Sequence, residues 1–292
     1  MAIYDYIRLI RVKQWYKNLV VFLPLLLGKT IFIEGAIFAH ILGFIALCLI
    51  SSSNYVYNDL IDIEKDKKNP EKMNRPLASG KITGGWAIIF IFLLLGIGIG
   101  IGLMLSIPFL MFGFALWTSS TLYTLFLKNQ PFMDVLSIAI NFVIRTMAGP
   151  FVIATGFVPY VVLSPWMILC PFFFALFLAV AKRKSEVSLL GKKAGKHRWV
   201  LNFYDEKITS ALMIVSMTLF VMSYSLWTFF SSFPNLIYTI PFVLYIVFKI
   251  FWFAENGREE ARHPHLLIKN IGIVVTCLII SLLFFLVVIV FG

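Results

Sequence analysis

Residues 36–67 read AIFAHILGFIALCLISSSNYVYNDLIDIEKDK, an apolar run that continues directly into an acidic motif. The apolar part has the length of a membrane-crossing helix, which needs about 20 mostly apolar residues. Asn58, Asp59, Asp62 and Asp66 follow it in the pattern N-D-x-x-D-x-x-x-D. On a helix, offsets of three and seven residues place the three aspartates on one face. This stretch therefore predicts a membrane helix that ends in a stripe of carboxylates.

The whole chain has the composition of a membrane protein. Of its 292 residues, 60% are hydrophobic and 13% are charged, against roughly 45–50% and 25% in soluble domains. These values exclude a soluble globular domain, and also a disordered chain, which needs low hydrophobicity and high charge. Apolar runs of about 20 residues predict an all-α, polytopic membrane protein with a single domain, 1–292. The nine predicted spans are 15–33, 36–57, 86–106, 108–127, 134–156, 162–181, 208–230, 235–254 and 270–291.

Three features of the apolar segments have alternative interpretations. The first span has a short apolar core, Leu19–Gly28, and a signal peptide is its alternative; a cleavage site with small residues does not follow, which favours a retained span. The glycines of GIGIGIG, 96–102, lie inside an apolar span, so they indicate close helix packing rather than a dinucleotide-binding loop. Cys48, Cys170 and Cys277 lie in apolar runs without paired spacing, which indicates neither disulfides nor a metal site.

Basic residues outnumber acidic ones, 25 to 14, and give a net charge of +11. In a soluble protein this excess would suggest a nucleic-acid partner, whereas in a membrane protein it marks the cytosolic loops. With nine spans, 23 of the 25 basic residues lie on the side of the N-terminus, while Lys29 lies on the other side and Arg145 inside a span. We therefore predict a protein of the cytoplasmic membrane with a cytosolic N-terminus, a cytosolic active face and no nucleic-acid partner.

The acidic motif has the chemistry of a metal site. Three carboxylates on one stripe repel one another unless a cation joins them, and Mg²⁺ commonly bridges protein carboxylates to substrate phosphates. The alternative is a solvated loop in which neighbouring lysines neutralise the acids. Ionisable groups at the membrane end of an apolar helix are costly and usually functional, and Arg75 offers a guanidinium suited to phosphate oxygens. We therefore expect Mg²⁺ at Asp59, Asp62 and Asp66.

Residues 74–80 continue the motif as N-R-P-L-x-x-G. The combination, at the end of the second of nine spans, resembles the UbiA superfamily of intramembrane prenyltransferases. The resemblance implies a UbiA-like helical bundle with a cytosolic-facing active site. It also implies, for members that prenylate aromatic rings, a second acidic motif in the loop after the sixth span. Here that loop has only the adjacent Asp205 and Glu206, which would point about 100° apart on a helix, and it opens with the basic run 182–184. The basic run favours a second anionic substrate.

Further segments resemble the branch of this superfamily that transfers phosphoribosyl groups to polyprenyl phosphates. They are 11–26 (RVKQWYKNLVVFLPLL), 123–128 followed by Asp134, 145–149, and the span 164–186 with its K-R-x-x-E ending. This resemblance implies Mg²⁺-dependent transfer of a 5-phosphoribosyl group from phosphoribosyl diphosphate to a polyprenyl phosphate of the decaprenyl type, with loss of diphosphate. The alternative is UbiA-type transfer of an isoprenoid chain from its diphosphate to an aromatic or other lipid acceptor. A transporter would require internal repeats and polar groups at mid-membrane depth, and the sequence offers little of either.

The candidate site residues follow from the resemblance and from their chemistry. Asp59, Asp62 and Asp66 are the candidate catalytic residues and Mg²⁺ ligands, and Asn58 would help to orient them. The candidate substrate-binding residues are Asn58, Lys13, Lys17, Arg75, Lys128, Arg145, Lys182, Arg183 and Glu186.

Several of these basic residues have a second explanation. Lys13 and Lys17 are equally explained as anchors to anionic lipid headgroups. Glu186 would orient either Arg183 or a ribose hydroxyl. Arg145 is harder to explain without a function, because an arginine inside a span is costly and faces a partner or a polar cavity. Asp134 lies eleven residues from Arg145, about 16 Å along a helix, which is too far for direct pairing.

Overall fold

The computed structural model describes residues 3–28, 30–69, 72–154, 156–161, 164–191, 195 and 199–290. Within these ranges every regular element is a helix, which confirms the predicted all-α class. The α-helices are α1 (Ile3–Leu9), α2 (Leu23–Leu27), α3 (Ala36–Ile61), α4 (Ile63–Lys67), α5 (Gly84–Leu105), α6 (Ile107–Leu125), α7 (Met133–Ala148), α8 (Trp166–Leu190), α9 (Glu206–Phe230), α10 (Ile240–Glu255), α11 (Glu259–Arg262) and α12 (Ile271–Phe285). Segments of 3-10 helix lie at Val12–Phe22, Thr30–Phe32, Leu127–Asn129, Gly149–Phe151, Trp199–Phe203, Pro234–Thr239 and Pro264–Lys269, and a π-helical turn at Leu286–Val290.

Seven helical segments in the described part of the chain are long and apolar enough to cross a membrane. They are Ala36–Ile61, Gly84–Leu105, Met133–Phe151, Trp166–Leu190, Glu206–Phe230, Asn235–Glu255 and Ile271–Val288. These correspond to seven of the nine predicted spans, and they support the prediction of a polytopic membrane protein. Helix α6 corresponds to the predicted span 108–127, but polar residues in its second half, from Thr118 to Thr121, lower its hydropathy.

The predicted first span, 15–33, is not one continuous α-helix. The chain forms a 3-10 helix at Val12–Phe22 and then the short helix α2, whose first turn contains Pro24. Proline lacks the N–H of a helix interior and is favoured where a new helix begins. Because a 3-10 helix rises about 2.0 Å per residue and an α-helix about 1.5 Å, these two segments together cover about 30 Å, the thickness of the hydrocarbon core. Lys29 lies outside the described residues.

The chain divides into two compact units, which are described separately. Unit 1 comprises Met1–Phe126 and Ile144–Leu163, and unit 2 comprises Leu127–Val143 and Ser164–Gly292. The single domain predicted from the sequence therefore stays a prediction.

In unit 1, α3 packs closely against α5. A Cβ atom built on Gly98 of α5 would lie 2.9 Å from Cγ1 of Ile50 and 3.3 Å from the carbonyl oxygen of Ala46, whereas one on Gly100 would meet nothing within 4 Å. Small residues at such positions let two helix backbones approach. The interpretation of GIGIGIG as a packing element is thus confirmed at Gly98, and the contact fixes the course of α3, whose last turn carries Asn58 and Asp59, the start of the acidic motif.

The core of unit 2 lies among α8, α9, α10 and α12. Its fully buried side chains include Phe177, Met213, Val247 and Phe253. This apolar packing fixes the direction of α8, and the last two turns of α8 carry the segment 182–186. The predicted K-R-x-x-E pattern therefore lies on a regular helix.

Candidate active site

The acidic motif lies where α3 ends. Helix α3 ends at Ile61, and Asp62 links it to α4. The backbone N–H of Asp62 donates to the carbonyl of Asn58 at 3.0 Å, and the N–H of Asp66 donates to the carbonyl of Asp62 at 2.8 Å. These four-residue steps continue the helical hydrogen-bond pattern through the break. Asp59 and Asp66 are both buried, and Asn58 is half-buried.

One guanidinium joins two of the three aspartates. Nη1 of Arg75 donates to Oδ1 of Asp59 and to Oδ2 of Asp66, each at 2.7 Å. Because both carboxylate oxygens accept a hydrogen bond from the same nitrogen, they lie no farther apart than the sum of the two bond lengths. Both carboxylates are therefore directed at a common cation position, as the spacing in the sequence predicts for these two residues.

The N-R-P-L-x-x-G segment forms the turn that presents Arg75. The N–H of Ser79 donates to the carbonyl of Arg75 at 2.9 Å, and the N–H of Ile82 donates to that of Pro76 at 3.1 Å. Gly80 has a φ of 73°, a left-handed conformation that favours glycine. The buried side chains of Leu77 and Ile82 anchor the turn in the apolar core of unit 1.

Arg11 is a functional candidate that the sequence analysis missed. Its Nη2 donates to Oδ1 of Asp59 in a very short hydrogen bond, and its guanidinium lies 5.2 Å from the centroid of the Tyr55 ring. Its φ of 51° is uncommon for a residue other than glycine, and such conformations concentrate at functional sites. In the sequence Arg11 is one of several basic residues before the first span, where topology alone explains a positive charge.

The lysines of the acidic motif lie farther from its aspartates than expected for the alternative, a solvated loop in which lysines neutralise the acids. Nζ of Lys65 lies 3.9 Å from Oδ1 of Asp62, and Nζ of Lys72 lies 3.8 Å from Oδ1 of Asp66. Lys67 pairs with the exposed Glu64 at 2.6 Å. The closest charge partners of Asp59 and Asp66 are thus arginines rather than solvated lysines.

The donor set at this site fits a divalent cation. Among the described residues, no group of three or more histidine, cysteine, aspartate or glutamate side chains is arranged to hold a metal ion. Mg²⁺, however, is commonly bound through one or two carboxylates together with substrate phosphates and water. Asp59 and Asp66 already direct two hard oxygen atoms at one cation, the guanidinium of Arg75. These two residues meet that requirement without a third protein ligand.

A second group of polar residues in unit 1 surrounds Arg145. Nε of Arg145, which is buried, donates to Oδ1 of Asn18 at 2.7 Å, and Nδ2 of Asn18 donates to Sγ of Cys48 at 3.2 Å. Lys17 and Arg145 both lie within electrostatic range of the hydroxyl of Tyr55. Two of the predicted substrate-binding cations thus act electrostatically on the same hydroxyl. Lys13, another candidate, is exposed.

In unit 2, the candidate residues of α8 belong to a buried network. Nε of Arg183 donates to Oδ2 of Asp134 at 2.8 Å, and Nη1 of Arg183 donates to Oε2 of Glu186 at 2.8 Å. The hydroxyl of Tyr204 donates to Oδ1 of Asp134 at 2.6 Å and accepts a bond from the N–H of Phe132 at 2.9 Å. Burial and then the bond to Asp134 raise the pKa of Tyr204 above its ordinary value. Asp134 and Tyr204 are absent from the site predicted from the sequence.

The remaining predicted cations of unit 2 have different surroundings. Nζ of Lys182 lies 3.9 Å from Oε1 of Glu186. The neighbouring Lys184 is buried and pairs with Glu255 at 3.0 Å. Lys128 is half-buried in the 3-10 segment Leu127–Asn129.

Helices long and apolar enough to cross a membrane define an integral membrane protein, and charged residues cluster at the ends of α3 and α8. Residues 20–271 match the model of the UbiA prenyltransferase family. The chain belongs to this family, which confirms the resemblance seen in the sequence.

Two relatives are named decaprenyl-phosphate phosphoribosyltransferase. The one from Corynebacterium glutamicum is 31% identical over 230 residues, which cover 76% of this chain and 67% of the relative. The one from Mycolicibacterium smegmatis is 30% identical over 227 residues, which cover 76% and 70%.

Two solved structures are similar in fold. A UbiA homolog from Archaeoglobus fulgidus bound to DMAPP and Mg²⁺ has a TM-score of 0.74 at 15% identity and covers 95% of this chain and 99% of its own. A digeranylgeranylglyceryl phosphate synthase has a TM-score of 0.68 at 19% identity and covers 98% of both chains. At these identities the likeness concerns the fold alone, and it supports the UbiA-like helical fold.

Proposed function

We propose that this UbiA-family transferase moves a 5-phosphoribosyl group from phosphoribosyl diphosphate to a polyprenyl phosphate, with Mg²⁺ as cofactor. The observation that carries the proposal is the likeness, over 76% of the chain, to relatives named decaprenyl-phosphate phosphoribosyltransferase. The loop after α8 supports it, because it has no spaced aspartate pair for a second metal site. In the reaction the bond from ribose C1 to diphosphate breaks, and a bond from C1 to an oxygen of the lipid phosphate forms.

The acidic site would hold the leaving diphosphate. Asp59 and Asp66, with Asp62 and the neighbouring Asn58, would hold Mg²⁺, whose charge stabilises the negative charge that develops on the diphosphate. Arg75 lies within hydrogen-bond distance of both buried carboxylates, so its guanidinium is close enough to bind phosphate oxygens at the same place.

The acceptor needs cations near the membrane interface. In unit 1, Lys17 and Arg145 lie near Tyr55, and Lys13 is exposed on the segment that enters the membrane. We assign the lipid phosphate to these cations, and the further candidates for anionic substrates are Lys128 and Lys182. A phosphate monoester is already ionised at neutral pH, so its oxygen attacks without a strong general base. The site would face the cytosol in the cytoplasmic membrane, because with nine spans the basic loops would lie on the N-terminal side.

A second candidate is transfer of an isoprenoid chain from its diphosphate to an aromatic or other lipid acceptor. The fold likeness to a UbiA homolog solved with DMAPP and Mg²⁺ favours it. The same acidic site would then hold the isoprenoid diphosphate. The two candidates differ in the donor, and a direct assay therefore separates them.

The test incubates membranes that contain the protein with labelled phosphoribosyl diphosphate, Mg²⁺ and a polyprenyl phosphate, and measures label in the extracted lipid. We expect label with the wild type and at least an about hundredfold lower rate with Asp59→Asn, as for loss of one group that stabilises transition-state charge. Glu64→Gln is the matched control, because Glu64 lies in the same acidic segment but is exposed and pairs with Lys67. Absence of label with the wild type would overturn the proposal, and a parallel assay with labelled isoprenoid diphosphate and an aromatic acceptor tests the second candidate.

A further inference from the structure

Unit 2 has an apolar groove between its helices α10 and α12. The groove is lined by side chains that include Phe242 and Tyr245 of α10 and Ile271, Val275 and Ile279 of α12. Its volume is about 480 Å³, within the range of about 300–1,000 Å³ that is usual for ligand sites. Tyr245, Ile271 and Val275 are exposed, while the opposite faces of both helices are buried in the core of unit 2. The groove therefore lies on the outer face of the helix pair, where a lipid chain can enter it.

A glycine forms one end of this groove. A Cβ atom built on Gly272 would lie 2.5 Å from the hydroxyl oxygen of Tyr245. Because Gly272 has no side chain, the phenol of Tyr245 reaches the backbone of α12 at its first turn. No other described residue forms a hydrogen bond with this hydroxyl. The end of the apolar groove thus carries a hydroxyl that can donate to a ligand.

Two cations lie beyond this end of the groove. Lys249 follows Tyr245 by one turn of α10, and its Nζ lies 5.2 Å from the centroid of the Trp252 ring. The guanidinium carbon of Arg258 lies 5.4 Å from the same centroid. Trp252 is 46% exposed, and tryptophan at the end of a membrane span lies at the level of the lipid headgroups. The indole therefore brings two cations together at headgroup depth.

The acidic residues nearby leave these two cations their charge. Those closest in the sequence are Glu255, Glu259 and Glu260. The carboxylate of Glu255 is engaged by the buried Lys184 at 3.0 Å and also accepts a hydrogen bond from Ser210. The other two lie in the first turn of α11. In the part of the chain that the structure describes, neither Lys249 nor Arg258 forms an ion pair, so an anion from outside the protein can bind there.

We propose that unit 2 binds one phospholipid of the bilayer with an anionic headgroup, its phosphate at Lys249 and Arg258 and an acyl chain in the groove. Cations at the membrane surface attract anionic lipids, and the apolar lining suits a hydrocarbon chain. The hydroxyl of Tyr245 lies between the cations and the groove, which is the place of the ester carbonyls in such a lipid. This inference does not depend on the proposed reaction.

The dimensions of the groove favour a phospholipid over a polyprenyl phosphate. From Ile271 to Ile279 the groove follows α12 for about 12 Å, close to half of the hydrocarbon core of about 30 Å. A chain that enters at the headgroup level thus stays within one leaflet, as an acyl chain does. A polyprenyl phosphate has a longer chain and no carbonyl for Tyr245.

The test is native mass spectrometry of the purified full-length protein in a neutral detergent, with phosphatidylglycerol or with phosphatidylcholine of the same acyl chains. One cation at the membrane surface is worth about a fivefold change in affinity for an anionic lipid. We expect the wild type to bind its first phosphatidylglycerol at least about tenfold more tightly than phosphatidylcholine. Lys249→Gln and Arg258→Gln should each weaken phosphatidylglycerol about fivefold and leave phosphatidylcholine nearly unchanged.

Two further variants separate the site from general attraction between a basic protein and anionic lipid. Lys207→Gln is the matched control, because Lys207 is an exposed lysine of the same unit, on α9, away from the groove. It should keep the wild-type affinities. Tyr245→Phe removes one neutral hydrogen bond and should weaken both lipids alike, by about two- to tenfold.

Four results would overturn the proposal. They are equal affinities of the wild type for the two phospholipids, an unchanged preference in the double variant Lys249→Gln and Arg258→Gln, and a loss in Lys207→Gln as large as in Lys249→Gln, which would indicate surface attraction alone. The fourth is displacement of bound phosphatidylglycerol by an equimolar polyprenyl phosphate, which would assign the groove to that lipid instead.

Discussion

Replacement of Arg75 by glutamine should destabilise the protein when divalent cations are absent. Arg75 makes two charge-assisted hydrogen bonds, to Asp59 and Asp66, and such bonds contribute about 1.5–3 kcal/mol each. The side chain of Arg75 is 25% exposed, so the lower limit applies, which gives a total of about 3 kcal/mol. At about 2–4 °C per kcal/mol, the expected fall in Tm is about 6–12 °C.

The assay is thermal unfolding of the detergent-solubilised protein, followed by tryptophan fluorescence, first with EDTA and then with Mg²⁺. In the wild type a cation must displace the guanidinium from two carboxylates. In Arg75→Gln, Asp59 keeps Arg11 and Asp66 keeps the more distant Lys72, but the cation that joins both carboxylates is gone, so Mg²⁺ should raise the Tm of the variant more than that of the wild type. Ligands that bind only the folded state stabilise it by RT ln(1 + [L]/Kd), where [L] is the free ligand concentration.

The matched control for this prediction is Lys67→Gln. Lys67 also forms a short ion pair, at 2.6 Å with Glu64, but both side chains are largely exposed, and exposed pairs contribute about 0–1 kcal/mol. Its Tm should therefore change little in either condition. Equal small changes in the two variants, or a Mg²⁺ response in Arg75→Gln no larger than in the wild type, would refute the assignment of Asp59 and Asp66 to a shared cation site.

Two further predictions concern packing and pH. Gly98→Ala should be less stable than Gly100→Ala by about 1–3 kcal/mol, the usual cost of overpacking, because only the first Cβ would lie 2.9 Å from Ile50; thermal unfolding of the two variants measures the difference. Burial and the bond to Asp134 raise the pKa of Tyr204 above 10.0. An unfolded chain ionises this phenol at the ordinary value, so the contribution of Tyr204 to stability is complete below pH 10 and declines as the pH rises further. Tyr204→Phe should lose stability less steeply than the wild type between about pH 10 and pH 11, and equal slopes would contradict the assignment.

The spacing of residues in the sequence predicted much of the acidic site, but it could not predict contacts between residues that lie far apart in the chain. Asp59 and Asp66 lie seven residues apart, so helical geometry alone predicts a shared face, and the structure directs both at Arg75. The bond of Arg11 to Asp59 spans 48 residues of sequence, and no periodicity encodes it. A basic residue before a membrane span has a sufficient explanation in topology, which is why its contact with the acid could not be inferred.

The same distinction applies to the end of α8. Arg183 and Glu186 are three residues apart, and a helix brings such residues into contact. Asp134 lies 49 residues from Arg183 in the sequence, and its bond to Arg183 fixes the orientation of this pair. From the sequence, the run 182–184 is three equivalent cations, but its members end in three environments: Lys182 is half-buried and lies 3.9 Å from Glu186, Arg183 joins two carboxylates, and Lys184 pairs with Glu255. A run of basic residues in a sequence therefore predicts an anion-binding surface only when the buried acidic residues that pair with the run are known.

The basic residues of the chain fall into two classes, which differ in the burial of their side chains. Arg11, Arg75 and Arg183 contact carboxylates at the two candidate sites, and arginine suits such positions because its planar guanidinium binds two acceptors at once and keeps its charge. Lys13, by contrast, is exposed, and the side chain of Lys182 is 41% exposed. Exposed charges act through the field at the membrane surface, which salt screens within about 10 Å. Because buried pairs are screened much less, moderate salt should weaken contributions of these lysines to lipid-phosphate binding while leaving the arginine–carboxylate geometry, and with it donor recognition, largely unchanged.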